Sequence, residues 1–177
     1  MTRTITVLAG YVLIGLAYWF ITPTPQPVKI VPVTEAQIKE GVKSEQVAKK
    51  NKRAILAARQ VYKRLGCRQD FSEATGRAAT EYGVSPRLLA GLVFVESSCN
   101  PNATDHLGSF GLAQVNTHVW GKRANDPATN LRIGARILAS YVGRYGLVEG
   151  LHHYNGYSAV HGHEYVNKVL TASGVKG

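Results

Sequence analysis

Acidic side chains are scarce in this chain. Eleven Asp and Glu stand against 21 Lys and Arg in 177 residues, a formal net charge of +10. So basic a chain first suggests nucleic acid, but it carries no reader motif and no interleaving of basic and aromatic residues, so no nucleic-acid partner is expected. The excess is also local: up to Gly66 there are eleven Lys/Arg and three Asp/Glu, and from Cys67 onward ten and eight. A basic leading segment suits anionic lipid headgroups or an acidic cell wall; a solvated helix face is the plainer reading. Cysteine is nearly absent, with only Cys67 and Cys99, which leaves one disulfide or two buried thiols. His152, His153, His161 and His163 form His-His and His-x-His pairs, yet the cysteines are distant in sequence and no His-Glu-x-x-His pattern exists, so no metal is expected. No internal repeat is present, and nothing calls for a cofactor.

One long apolar run is present. From Ile5 to Ile21 seventeen residues carry no charge, at the lower edge of the roughly 17 to 25 residues that span a bilayer. Tyr18 and Trp19 close it as interfacial anchors would, and Arg3 with the amino terminus gives a positive front. No Ala-x-Ala site or lipobox cysteine follows, so residues 1–22 are predicted to be an uncleaved signal anchor. Prolines at 23, 25, 27 and 32 then predict a stiff, extended tether. From Thr34 the pattern turns helical, with a Thr34-x-x-Gln37 capping box and an apolar stripe of Ile55, Leu56, Val61, Tyr62 and Leu65. Residues 23–66 thus read as a tether and basic helix, which either packs on the next domain or stands as a stalk. Residues 67–177 are long enough for one domain with a sizeable core.

The chemistry concentrates between Val93 and Asn116. Ser85-Pro86 starts a helix, serine as N-cap and proline where its missing N–H costs nothing. Leu89, Leu92, Val93 and Glu96 follow at spacings of three and four and share one face. Asn100-Pro101 is expected to end the helix. A glutamate on an apolar stripe resists ionisation, which raises its pKa and suits it to general acid catalysis near neutral pH. The alternative is a glutamate at a fraying helix end, solvated or paired with an arginine such as Arg87. A glycine-punctuated loop, Gly108 to Gln114, comes next and would offer backbone and amide hydrogen bonds to a polar polymer.

Glu96-Ser97-x-x-Asn100-Pro101-x-Ala103 followed by Gly108-x-x-Gly111-Leu112-x-Gln114 resembles the soluble lytic transglycosylase (SLT) family, which has a goose-type lysozyme-like fold. Asn130 to Leu138, the His153-Tyr154-Asn155-Gly156 turn and Glu164 to Val169 resemble three further family blocks in the same order. The resemblance implies a mainly α-helical domain acting on peptidoglycan glycan strands. Glu96 would be the single acid/base, protonating the MurNAc–GlcNAc glycosidic oxygen and then taking the 6-hydroxyl proton as a 1,6-anhydro ring closes. That fits a site with one carboxylate where glycosidases ordinarily use two. Ser97 and Gln114 would be polar groups near the acid and sugar, and the Gly111-Leu112 backbone would line the groove. Tyr154 would hydrogen-bond the acid, with Asn155 beside it and Tyr165 as a groove-side aromatic. Where the family often has serine, methionine and alanine, this chain has Asp105, Ala113 and Gly156. Asp105 keeps a rival open, a goose-type hydrolase in which this carboxylate positions water; otherwise it is a solvated loop residue or an Asx-turn. A non-catalytic wall-binding scaffold is a further alternative. A peptidoglycan substrate implies a single-pass inner-membrane protein with its domain in the periplasm. There Cys67 and Cys99 either brace the acid-bearing helix as a disulfide or stay as thiols. Phage or secretion-complex partners fit a domain this small.

Overall fold

A computed structural model describes residues 34–121, 126–156 and 162–176. The expected span over 1–22 and most of the tether lie outside the described residues. Among the described residues no helix is long and apolar enough to cross a membrane. The chain divides into two units, Met1–Ile38 and Lys39–Gly177, so the domain boundary expected at Cys67 falls within the second.

Helix α1, Glu35–Arg64, opens with the expected capping box. Thr34 N–H donates to Gln37 Oε1 at 2.9 Å, and Gln37 N–H donates back to Thr34 Oγ1 at 3.3 Å. Its buried stripe is Ala54, Ala58, Val61 and Tyr62. Leu56 is 48% exposed, because it lies on the opposite face from Ala54 and Ala58, so the stripe read from sequence was partly misplaced. The small residues matter here: they bring α1 close to α2, Ser72–Tyr82. A Cβ on Gly76 of α2 would lie 2.5 Å from the Ile55 backbone nitrogen. Tyr62 Oη and Thr75 Oγ1 hydrogen-bond at 2.7 Å across this contact, which satisfies both buried hydroxyls.

Helix α3, Pro86–Ser97, is the axis of the domain. Ser85 Oγ accepts from Leu88 N–H at 3.3 Å, and Leu88 to Val93 are all buried, as befits a helix that is apolar all round. It ends earlier than Asn100-Pro101 would place it: Ser98 and Cys99 take left-handed φ values of 51° and 63°. A disulfide joins Cys99 to Cys67, with Cα atoms 5.9 Å apart, and pins the end of α3 to the end of α1. Closing a loop of 32 residues is worth about 3–4 kcal/mol in the chain-entropy account.

A two-stranded antiparallel hairpin follows, β1 (Ser109–Phe110) against β2 (Val115–Asn116), with Ser109 opposite Asn116 and Phe110 opposite Val115. A short helix α4, Thr117–Trp120, leads on. Helix α5, Pro127–Tyr145, is capped by Asp126, whose carboxylate accepts from Thr129 N–H at 2.8 Å. Helices α6, Leu147–Tyr154, and α7, Gly162–Ser173, complete the order. Helix α7 packs on α3, α2 on α5, and α5 on α6. One core centres on Leu89, Leu92, Leu138, Leu151 and Val169. The other joins Ala58, Val61 and Tyr62 of α1 to Val93, Leu112 and Leu131. The second half of α1 is therefore core, and the basic helix is no free stalk.

Candidate active site

Glu96 sits on the last turn of α3, where the apolar helix meets the hairpin loop. It lines a cleft of about 570 Å³ whose other walls come from the hairpin, α4, α5 and α6. Its carboxylate is half-buried. Desolvation is the main cause that pushes its pKa up to about 7; the Asp105 charge adds to the rise and a hydrogen bond from Tyr165 opposes it. Tyr165 Oη donates to Glu96 Oε1 at 2.5 Å. Arg87 donates to Gln60 at 2.6 Å, and no contact given for it involves Glu96. A glutamic acid poised near neutrality, half-open to a polar cleft, can give a proton to a leaving oxygen and take one back.

The hydrogen bond to the acid comes from Tyr165 on α7, where the sequence pointed to Tyr154. Tyr154 Oη instead donates to the Ala113 carbonyl at 2.8 Å while its ring lines the cleft beside Asn155. Gly134 makes room for this: a Cβ there would lie 2.4 Å from the Ala113 Cβ and 3.1 Å from Tyr154 Oη. The smaller residue at 113, a departure from the resembled pattern, belongs to the same close packing.

Three residues expected at the groove lie behind it. Ser97 is buried, with Oγ donating toward Val93 O at 3.0 Å and Leu112 O at 2.9 Å, so it fastens the helix end to the loop. Leu112 is fully buried in the core. Gly111 has φ 81°, and a Cβ would come within 2.6 Å of Asn130 Nδ2. Glycine is required there by that approach. Gln114 does reach the cleft. Its backbone φ of 42° is a sparsely populated conformation for a residue with a side chain, and its Nε2 donates to Gly111 O at 2.9 Å and Ala103 O at 3.1 Å.

Asp105 stands on the exposed loop wall of the cleft. Its Oδ1 accepts from Leu107 N–H at 2.9 Å and Ser109 N–H at 2.7 Å, an Asx-type turn that shapes the loop. Desolvation works to raise its pKa, but hydrogen bonds from Ser109 and Leu107 and the neighbouring His106 outweigh it and hold the carboxyl below the usual range.

Sequence reading missed the residue that ties the loop down. Asn130 on α5 is buried, its Nδ2 donating to Phe110 O at 2.8 Å and its Oδ1 accepting from Ala113 N–H at 2.9 Å. It bridges both ends of the glycine turn. The far wall was missed as well: Trp120 packs edge-on to Tyr141 with centroids 6.4 Å apart, and Tyr141 stacks on His153 at 5.6 Å. All three line the cleft. Gly134, Ile137 and Tyr141 recur at three and four on α5, a signal that marks one face; nothing comparable marked Trp120.

A larger groove, about 840 Å³, runs between the end of α1, α3 and α7, past Leu65, Phe94, Val95 and Ala172. Its one carboxylate, Glu164, is exposed and paired with Lys168 at 2.7 Å. Acid chemistry therefore belongs to the smaller cleft. Among the described residues no group of three or more His, Cys, Asp or Glu is placed to hold a metal. His152 packs edge-on to His163 at 5.0 Å, and His161 lies outside the described residues.

Comparison with known proteins agrees with this geometry. The family model described as "Transglycosylase SLT domain" matches residues 73–168. A "Transglycosylase" of Enterobacteria phage PRD1 is 38% identical over 78 residues, 42% of this chain. The match spans 29% of that protein. No solved structure gives a significant match.

Proposed function

Since the chain belongs to the SLT transglycosylase family, we propose that it is a membrane-anchored lytic transglycosylase that cleaves the MurNAc–GlcNAc β-1,4 bond of peptidoglycan. The observation that carries this reading is Glu96, a half-buried carboxyl with a pKa near 7 at the foot of a polar cleft. Protonated, it donates to the glycosidic oxygen; ionised, it accepts the muramoyl 6-hydroxyl proton as that oxygen closes on the anomeric carbon. One group that changes protonation state twice serves both steps, and no water is consumed. Tyr165 holds Oε1, which leaves the other carboxyl oxygen for the substrate. Tyr154, Asn155 and Gln114 offer polar groups along the cleft, and Trp120 and Tyr141 offer ring surface to sugar faces.

Asp105 lines the same cleft, and that observation alone favours a second reading, hydrolysis with Asp105 guiding water. Against it, Oδ1 is committed to two backbone N–H groups. Residues 1–22 supply the anchor in this reading, and the disulfide fits an oxidising periplasm. Mass spectrometry of the muropeptides released by the full chain distinguishes the outcomes. Anhydro-muramoyl ends are expected; reducing ends would establish the hydrolase, and intact peptidoglycan from folded protein would leave a wall-binding scaffold.

A further inference from the structure

From Lys49 to Arg64 helix α1 carries seven basic residues and no acidic one. Their placement is ordered by the helix. Ala54, Ala58, Val61 and Tyr62 turn inward, so Lys49, Lys52, Arg53 and Lys63 fall on the outer side at helical spacing and are all exposed. Two aliphatics stand in the same outer row, Val42 at 50% and Leu56 at 48% exposed. A face built for water alone has no use for them. Beside the row is a shallow concavity of about 380 Å³, lined by the cations of Lys52, Arg59 and Arg77 and by Val47, Ile55 and Leu56. Arg77 also bonds Glu73 at 3.0 Å. Cations at the rim and aliphatics beneath them match a phosphate headgroup with the first methylenes of its acyl chain.

We propose that the outer face of α1 is a docking surface for an anionic lipid bilayer, separate from any anchor at the amino terminus and from catalysis. No residue of α1 lines the catalytic cleft, so the docked domain keeps that cleft free. Charge complementarity supplies most of the attraction, since each Lys or Arg near an anionic surface adds to it independently. The aliphatics set the choice of partner: a soluble polyanion gains nothing from Val42 and Leu56, whereas a bilayer does.

The test footprints lysines of the full chain with a water-soluble amine reagent, read by mass spectrometry, on phosphatidylcholine vesicles with and without phosphatidylglycerol. Any insertion of the amino terminus is common to both vesicles and drops out of the comparison. Labelling of Lys49, Lys52 and Lys63 is expected to fall about tenfold on the anionic vesicles and to recover in high salt. Unchanged labelling overturns the proposal. A Val42→Ser/Leu56→Ser variant, altered only at exposed positions, should lose roughly threefold of the vesicle protection and none of the protection given by soluble polyglutamate. Equal losses on both, or no loss on vesicles, would make the face a general polyanion site and overturn the bilayer assignment.

Discussion

Two carboxylates nine positions apart in the chain share one cleft and behave oppositely. Glu96 ends an apolar helix whose neighbours cannot solvate a charge, and its pKa rises to about 7. Asp105 sits on the exposed loop wall, where backbone N–H groups solvate it in place of water and hold its pKa down. Residue type contributes little to the contrast, since both are simple carboxylic acids. The difference comes from which element carries each one: a buried helix starves an acid of hydrogen-bond donors, and a tight turn supplies them.

The comparison breaks most completely at Glu96. Glu96→Gln keeps the shape and removes the titratable proton, and turnover of purified peptidoglycan should fall by about 10³-fold or more. The same variant should be more stable than the wild type at alkaline pH. Folding raises the carboxyl above its unfolded range, so Glu96 favours the folded state at low pH and opposes it as pH rises through about 7. The gain, at most about 3 kcal/mol, should shrink to nothing below the unfolded carboxylate range in thermal melts run across pH.

Asn130→Ala tests whether the loop wall depends on its tie to α5. It strands the buried Phe110 carbonyl and Ala113 N–H, each costing about 1–3 kcal/mol. Chemical denaturation should show that loss, with activity falling as Gln114 and Asp105 drift from position. Tyr165→Phe sharpens the helical side. It removes the bond that lowers the Glu96 pKa, so the alkaline limb of the pH–rate profile should move upward while the plateau falls about tenfold. A limb that moves downward would mean Tyr165 does not stabilise the carboxylate. Asp105→Asn is the mildest change. It keeps one acceptor for the turn and removes a repelling charge, so the limb should move slightly downward with activity within about fivefold. A loss as large as that of Glu96→Gln would give Asp105 the catalytic role of a hydrolase.

Local signals made the acid and its helix legible before any coordinates. The Ser85-Pro86 start and the Leu89, Leu92, Val93, Glu96 face are features of neighbouring residues, and the reciprocal Thr34–Gln37 cap is another. Tertiary geometry was less legible. Nothing local says that Tyr165, far along the chain, reaches Glu96 while Tyr154 turns to the Ala113 carbonyl. Ser97 and Leu112 have the motif position of groove residues, yet a half-turn of helix and a left-handed glycine send them into the core. The boundary at Cys67 was placed by charge, which reports the outer face of α1, whereas Ala54 and Ala58 on its inner face carry the packing. Alanines give little hydrophobic signal, and their small size is what lets α1 approach Gly76.

The most direct measurement is the ionisation of Glu96 itself, followed by NMR of side-chain carboxyl carbons in ¹³C-labelled wild-type protein and assigned against Glu96→Gln. A midpoint near 7 is expected, with Asp105 titrating below the usual carboxylate range in the same spectra. A Glu96 midpoint in the ordinary range, near 4.5, would contradict the dry helical wall and, with it, the single acid/base on which the proposed chemistry depends.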